Sequence, residues 1–257
     1  MLAICALWLA PLALAQHAGG ASSAPRPPAG NGALTIQVRH ATTPSDAADL
    51  PIALYALAPD GSPGFASGQT DAQGSFTFEG ISTDPEIVYL IGASYREIPF
   101  GERITFAPGE TLARVEIEIS DPTDRLAGVE VEELRARIDW LGDRVVVRET
   151  LRIINPGDHV ILLSEDDRSR AITIRQLAPE AQDFSPGSRS ISDRLGFEDG
   201  QVRFWGPLYP GEQRIDYQYS LPIEDLRGTL RIEMREALNR IVIVAGTPGI
   251  EVAGPAL

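Results

Sequence analysis

Few residues of this sequence are of a type and spacing that could do chemistry. Its three histidines, His17, His40 and His159, are far apart, and no two share the spacing of a metal-ligand pair. There is no G-x-S-x-G elbow, no Walker loop and no G-x-G-x-x-G turn. Glycosidase carboxylates need not be close in sequence, and among 36 acidic residues no pair stands out. Glu149 is the exception: it interrupts the apolar strand row of Val145, Val147, Leu151 and Ile153. A carboxylate buried without a partner holds its proton more tightly and becomes a candidate acid or base. A bend in the strand, or Arg148 or Arg152 reaching the carboxylate, would make it structural instead. The expectation from these residues is no catalytic group, no cofactor and no metal.

Aromatic rings are the other candidates. The stretch Phe204-Trp205-Gly206-Pro207-Leu208-Tyr209-Pro210 gathers a Phe, a Trp and a Tyr around a turn. Such rings stack on sugars or anchor a protein partner. Alternation along a strand puts Phe204 and Trp205 on opposite faces, so one of them is expected at the surface. Trp140, in Arg137-Ile138-Asp139-Trp140-Leu141-Gly142-Asp143, is a further candidate. Trp205, Tyr209 and Trp140 are thus the expected ligand-binding residues if a ligand exists. The competing reading makes them core and turn-packing rings.

Behind these residues stands a pattern of short strands. Leu34, Ile36 and Val38 alternate with Thr35, Gln37 and Arg39. Ile52, Leu54 and Ala56 repeat the period, as do Phe76 and Phe78, Ile87, Tyr89 and Ile91, Ile104 and Phe106, and Val115, Ile117 and Ile119. Turn-forming clusters such as Pro59-Asp60-Gly61 and Ala107-Pro108-Gly109-Glu110 separate them. In Thr70-Asp71-Ala72-Gln73-Gly74-Ser75-Phe76-Thr77-Phe78-Glu79-Gly80 the residue types fit a tight turn. Gly74 takes positive φ, Thr70 and Asp71 bond turn amides, and both Phe rings fall on one face. Calcium needs six to eight oxygens, and Asp60, Asp71, Glu79 and Asp84 form no dense acidic run.

Past the polar junction Ser120-Asp121-Pro122-Thr123-Asp124 the β pattern resumes. Strands are expected around Val145–Ile153, Ile172–Ile174, Val202–Trp205, Ile215–Tyr219, Leu230–Met234 and Ile241–Val244. Residues 130–137 suit a helix or the start of a strand equally, and residues 179–199 read as a long polar loop.

The chain has 257 residues and a formal charge of −14, and all 22 of its basic residues are Arg. This acidity argues against nucleic acid or an anionic membrane surface as partner. Residues 1–15 form an apolar run closing on Ala13-Leu14-Ala15, as in a signal peptide cleaved after Ala15. No basic residue precedes the run, so the start of the protein can lie upstream. The only cysteine, Cys5, would leave with that peptide, and the mature chain would have no thiol. Residues 16–32, rich in Ala, Gly, Ser and Pro, read as a disordered linker, with order beginning near Leu34.

The strings "LPIALYAL", "TDAQGSFTFEGI" and "YLIGASYREIPFGERITFAPGETLARVEIEISDPT" resemble the carboxypeptidase regulatory-like domain. The resemblance covers about residues 33–122 and implies a transthyretin-like, seven-stranded sandwich without catalysis, common in secreted and envelope proteins of bacteria. A catalytic relative of that sandwich, the hydroxyisourate hydrolases, needs a His-Arg-His set and a terminal Tyr-Arg-Gly-Ser. Here Tyr95-Arg96-Glu97-Ile98 is the nearest string and His40 the one histidine in reach. Residues 128–257, through "RETLRIINPGD" and "FWGPLYPGEQRIDYQYSLP", are similar to an Ig-like domain. The expectation is an all-β protein of two sandwiches in tandem, secreted or periplasmic. It would bind, space or assemble envelope proteins or glycans. A C-terminal membrane helix follows such domains in many relatives, so a membrane tether beyond Leu257 is compatible with this reading.

Overall fold

The computed structural model describes residues 25–164, 167, 170–187, 194–222 and 240–249. The expected leader, residues 16–24 of the expected linker and the expected strand at Leu230–Met234 lie outside them. The chain divides into two compact units, one ending at Ser120 and the other beginning at Asp121. Both are built from strands, and a 3-10 turn covers Pro44–Ala47.

The first unit contains β1 (Ala29–His40), β2 (Pro51–Leu57), β3 (Pro63–Gln69), β4 (Ser75–Ile81), β5 (Val88–Tyr95), β6 (Ile98–Ile104) and β7 (Leu112–Ile119). They form a three-stranded sheet, β4-β1-β7, and a four-stranded sheet, β3-β2-β5-β6. Leu34, Ile36, Val38, Phe78, Val115, Ile117 and Ile119 from one sheet, and Ile52, Leu54, Tyr89, Ile91 and Phe100 from the other, are buried. β7 shows the cause plainly: Arg114, Glu116 and Glu118 face out while the apolar residues between them face in.

Strand β1 begins at Ala29, earlier than composition suggests. Pro25 and Pro28 already accept backbone bonds from Phe65 and Ser82. A β ladder is made by the backbone, so residues with little to bury can still join it. Strand β3 has no clear alternation and is not legible from its sequence; its Gly68 lies directly under the Phe76 ring.

The Thr70–Gly80 stretch is a turn. Asp71 Oδ1 accepts from the amides of Gln73 at 2.9 Å and Ser75 at 2.8 Å. Gly74 has φ +76°, and its carbonyl accepts from the Val38 amide at 2.8 Å. The Phe76 and Phe78 rings meet edge to face, 4.9 Å between centroids. Thr70 departs from expectation. Its buried hydroxyl accepts from the Leu50 amide and donates to the Ala47 carbonyl, each at 2.8 Å, so it ties the 3-10 turn to the turn between β3 and β4, which lie in different sheets, and leaves the turn amides to Asp71. Thr70→Val keeps the shape and strands both backbone groups. It should cost roughly 1–3 kcal/mol, read as a lower denaturant midpoint at unchanged m-value.

The second unit contains β8 (Pro122–Thr123), β9 (Glu130–Leu141), β10 (Arg144–Asn155), β11 (Val160–Ile161), β12 (Ile172–Gln176), β13 (Gln182–Pro186), β14 (Leu195–Glu198), β15 (Gln201–Phe204), β16 (Gly211–Pro222) and β17 (Arg240–Ala245). The main sheet runs β13-β16-β10-β9-β17, and a second sheet runs β12-β15-β14. Residues 130–137 are strand: Leu134, Ala136 and Ile138 turn inward while Arg135 and Arg137 turn out. The stretch 179–199 contains β13 and β14 in place of one long loop. Phe184 and Phe197 stack there with centroids 5.5 Å apart, and neighbouring strands supply the backbone pairing.

Candidate interaction site at a sheet edge

The expected aromatic residues do not come together. Phe204 and Trp205 are both buried, the latter 5% exposed. Strand β15 ends at Phe204, so alternation no longer applies to Trp205. Its amide donates to the Arg194 carbonyl at 3.0 Å, its carbonyl accepts from Leu163 at 2.9 Å, and its ring packs on Gly196 of β14. Tyr209 is half-buried, and burial pushes its phenol up from the ordinary value. Trp140 is 47% exposed. Trp140, near the end of β9, pairs with Val145 at the Arg144 end of β10, whereas the turn after Tyr209 meets the Asn155 end. Those ends are separated by the length of a 12-residue strand, about 35 Å, too far for one sugar platform.

Glu149 is sealed in the core at 1% exposure. Neither Arg148 nor Arg152 reaches it; they bind Asp139, and Glu132 with Glu212. Its partners come from elsewhere. Arg175 Nε donates to Oε2 at 3.2 Å, Tyr217 Oη to Oε2 at 2.6 Å and Tyr219 Oη to Oε1 at 3.1 Å. Arg175 belongs to β12, where a bulge between Thr173 and Arg175 breaks the alternation and turns the guanidinium inward. Burial, with the charge of Glu149 next, pushes the Tyr217 and Tyr219 phenols up. All four side chains are closed off from solvent, so the cluster is a buried ion pair that organises the core.

The surface feature that remains is the edge of the main sheet. Strand β17 lies parallel to β9, pairing Arg240 with Glu133 through Ala245 with Ile138. Its sequence after Arg240 is Ile241-Val242-Ile243-Val244-Ala245, with no charge. Ile241 and Val244 are 36% and 38% exposed, and nearby Trp140 and Leu141 are 47% and 54% exposed. No strand among the described residues pairs with its outer side. A bare apolar edge invites another strand, and other sheet edges are usually blunted. The opposite edge here is blunted: β13 has a register shift between Gln182 and Ser185, a proline at Pro186, and Asp183 at φ +53°, tied to Arg144 at 2.9 Å. Of the first unit's four edge strands, β4, β6 and β7 carry charges within the strand, while β3, which carries none, donates from its Phe65 amide to the Pro25 carbonyl at 2.7 Å.

At the far end of β17, Gly246 donates to the Ile138 carbonyl at 2.7 Å, and Thr247 Oγ1 accepts from the Trp140 amide at 2.9 Å. Asp139 lies over Gly246, where a Cβ would fall 1.9 Å from Oδ1. Arg137 and Arg148 hold that carboxylate. The hydrogen bond from Arg137, then the charges of both arginines, keep Asp139 below its usual range against the opposing effect of burial. A depressed carboxylate stabilises the fold above the ordinary value of 3.8 and loses that contribution as pH falls through its folded value. Asp139→Asn should therefore flatten the acid limb of unfolding below about pH 4; acid titrations of the two proteins, followed by Trp fluorescence, check this.

No family model matches the chain, and no curated protein matches it significantly. Solved structures of two Corynebacterium diphtheriae major pilins share features of it. The full-length pilin SpaD aligns at 9% identity over 75% of this chain and 56% of its own, with a TM-score of 0.28. The pilin SpaA aligns at 11% identity over 75% of this chain and 59% of its own, with a TM-score of 0.26. The chain thus spans less than two thirds of either, and likeness at this level carries no argument about function. No helix among the described residues is long and apolar enough to cross a membrane.

Proposed function

We propose that this protein is a non-enzymatic module of a bacterial envelope, which associates with its partner by strand addition to the open edge of its second sandwich. The observation that carries the reading is β17: uncharged after Arg240, with no strand among the described residues on its outer side, and opposite a blunted edge. Strand addition supplies backbone hydrogen bonds for affinity and alternate side chains for specificity. The leader-like residues 1–15 support export. The regulatory-like resemblance over 33–122, with three- and four-stranded sheets in the first unit, supports a spacing role for that unit, and residues 128–257 supply an Ig-like partner domain. SpaA is described as stabilised by isopeptide bonds; this chain has no lysine, hence no side-chain amine to form one.

The test is site-specific photocrosslinking from Val242 in the exporting host. Cross-linked species are expected in the periplasmic or surface fraction, and Val242→Lys should abolish their formation when the probe sits at Val244. Absence of edge-dependent cross-links, or hydrolysis of a peptide or glycan that one carboxylate substitution removes, would overturn the reading.

A further inference from the structure

We infer that the rim of the first sandwich between β3 and β4 is a binding groove for an extended, proline-rich strand, which the chain's own residues 25–28 fill as a releasable guard. The groove belongs to the first unit, so the inference is independent of the β17 reading.

The guard reads Pro25-Arg26-Pro27-Pro28. Proline fixes its own φ and drives the residue before it to extended backbone, so the segment runs in the manner of polyproline II. That helix repeats every three residues, over about 9 Å, which sets the carbonyls of Pro25 and Pro28 on one side. Those two carbonyls make the bonds. Pro25 accepts from the Phe65 amide of β3 at 2.7 Å, and Pro28 accepts from the Ser82 amide, just past β4, at 2.8 Å. Strands β3 and β4 are edges of the two different sheets, so the segment bridges their rims.

The floor of the groove is glycine. Gly64 is buried in β3, and a Cβ there would fall 2.5 Å from Pro27 Cα, 2.8 Å from Pro27 N and 2.9 Å from the Arg26 carbonyl oxygen. Its φ is not positive, so no turn requires a glycine at this position. A glycine inside a strand marks the close approach of another backbone, and that backbone is the guard. Gly68, on the same face of the strand, is covered instead by the Phe76 ring.

The guard suits an edge it must protect and can leave. Strand β3 carries no charge of its own. A cover of three prolines accepts from the edge and presents few donors for a further strand. Pairing of β1 with β4 and with β7 becomes continuous at Ala33, so residues 25–28 can depart without unzipping that ladder.

The test uses the full chain lacking its leader and a labelled synthetic peptide of residues 24–31. Pro25→Ser, Pro27→Ser and Pro28→Ser together should vacate the groove. Amide exchange at Phe65 should then quicken about tenfold or more, while Ala66, within the β2–β3 ladder, stays protected. The peptide should bind this variant and shift its Phe65 amide resonance. It should bind the unsubstituted chain about tenfold more weakly, because the tethered segment competes at an effective concentration in the millimolar range. Adding Gly64→Val to the vacated chain should abolish binding. A vacated chain that ignores the peptide, binding unmoved by Gly64→Val, or a Phe65 amide as protected as before overturns the inference. Loss of Ala66 protection in the vacated chain also overturns it, since the segment would then be part of the folded core.

Discussion

Glu149→Ala should destabilise the second sandwich by roughly 3–5 kcal/mol, the cost of leaving a buried charge without its partner. Arg175 is 3% exposed, and besides Glu149 its guanidinium reaches the Gln176 carbonyl at 3.1 Å. Removing the carboxylate would also strand the hydroxyls of Tyr217 and Tyr219, both buried. The double variant Glu149→Leu with Arg175→Met is the informative comparison. Exchanging a buried pair for apolar residues of similar volume is often neutral or stabilising, so the double variant should recover most of the loss. Chemical denaturation of the four proteins in this cycle measures it. A single variant that loses less than about 1 kcal/mol would show that the pair does not organise the core.

High pH should unfold the same region. The phenols of Tyr217 and Tyr219 are raised above the ordinary value of 10.0, by burial first and then by Glu149. For a group raised on folding, the contribution is fully present below the unfolded value and is lost as pH rises toward the folded one. Above pH 10 the unfolded chain releases protons that the folded chain retains. Each such tyrosine then removes about 1.4 kcal/mol per pH unit, so the two together remove about 3 kcal/mol per unit. Tyr89 of the first unit, raised to about 12 by burial and then by Asp84, adds to the loss between those values. Stability should therefore fall steeply above pH 10, and Tyr217→Phe should make the fall shallower by one proton's worth, although it starts from a lower stability. Phenolate absorbance that rises in the intact fold near pH 10 for every tyrosine would contradict this.

The sequence by itself determined the class of fold and the face of most strands. Alternation of apolar and polar residues is local: in β7 and β10 it follows from the side-chain period of two, whatever the strand meets later. The Asp71–Gly74 turn was legible for the same reason, since its bonds lie within a few residues. What only the tertiary structure decided depends on partners distant in the chain or on breaks in the period. The partner of Glu149 comes from β12 because a bulge reverses the facing of Arg175; no rule of alternation contains that. Trp205 is buried because its strand ends one residue before it, and Thr70 bonds toward Ala47 and Leu50 because the 3-10 turn returns there. The edge position of β17 among the described strands is likewise a property of strand order. An apolar run reads the same at the centre of a sheet as at its edge, and only the arrangement β13-β16-β10-β9-β17 places it last among the described strands.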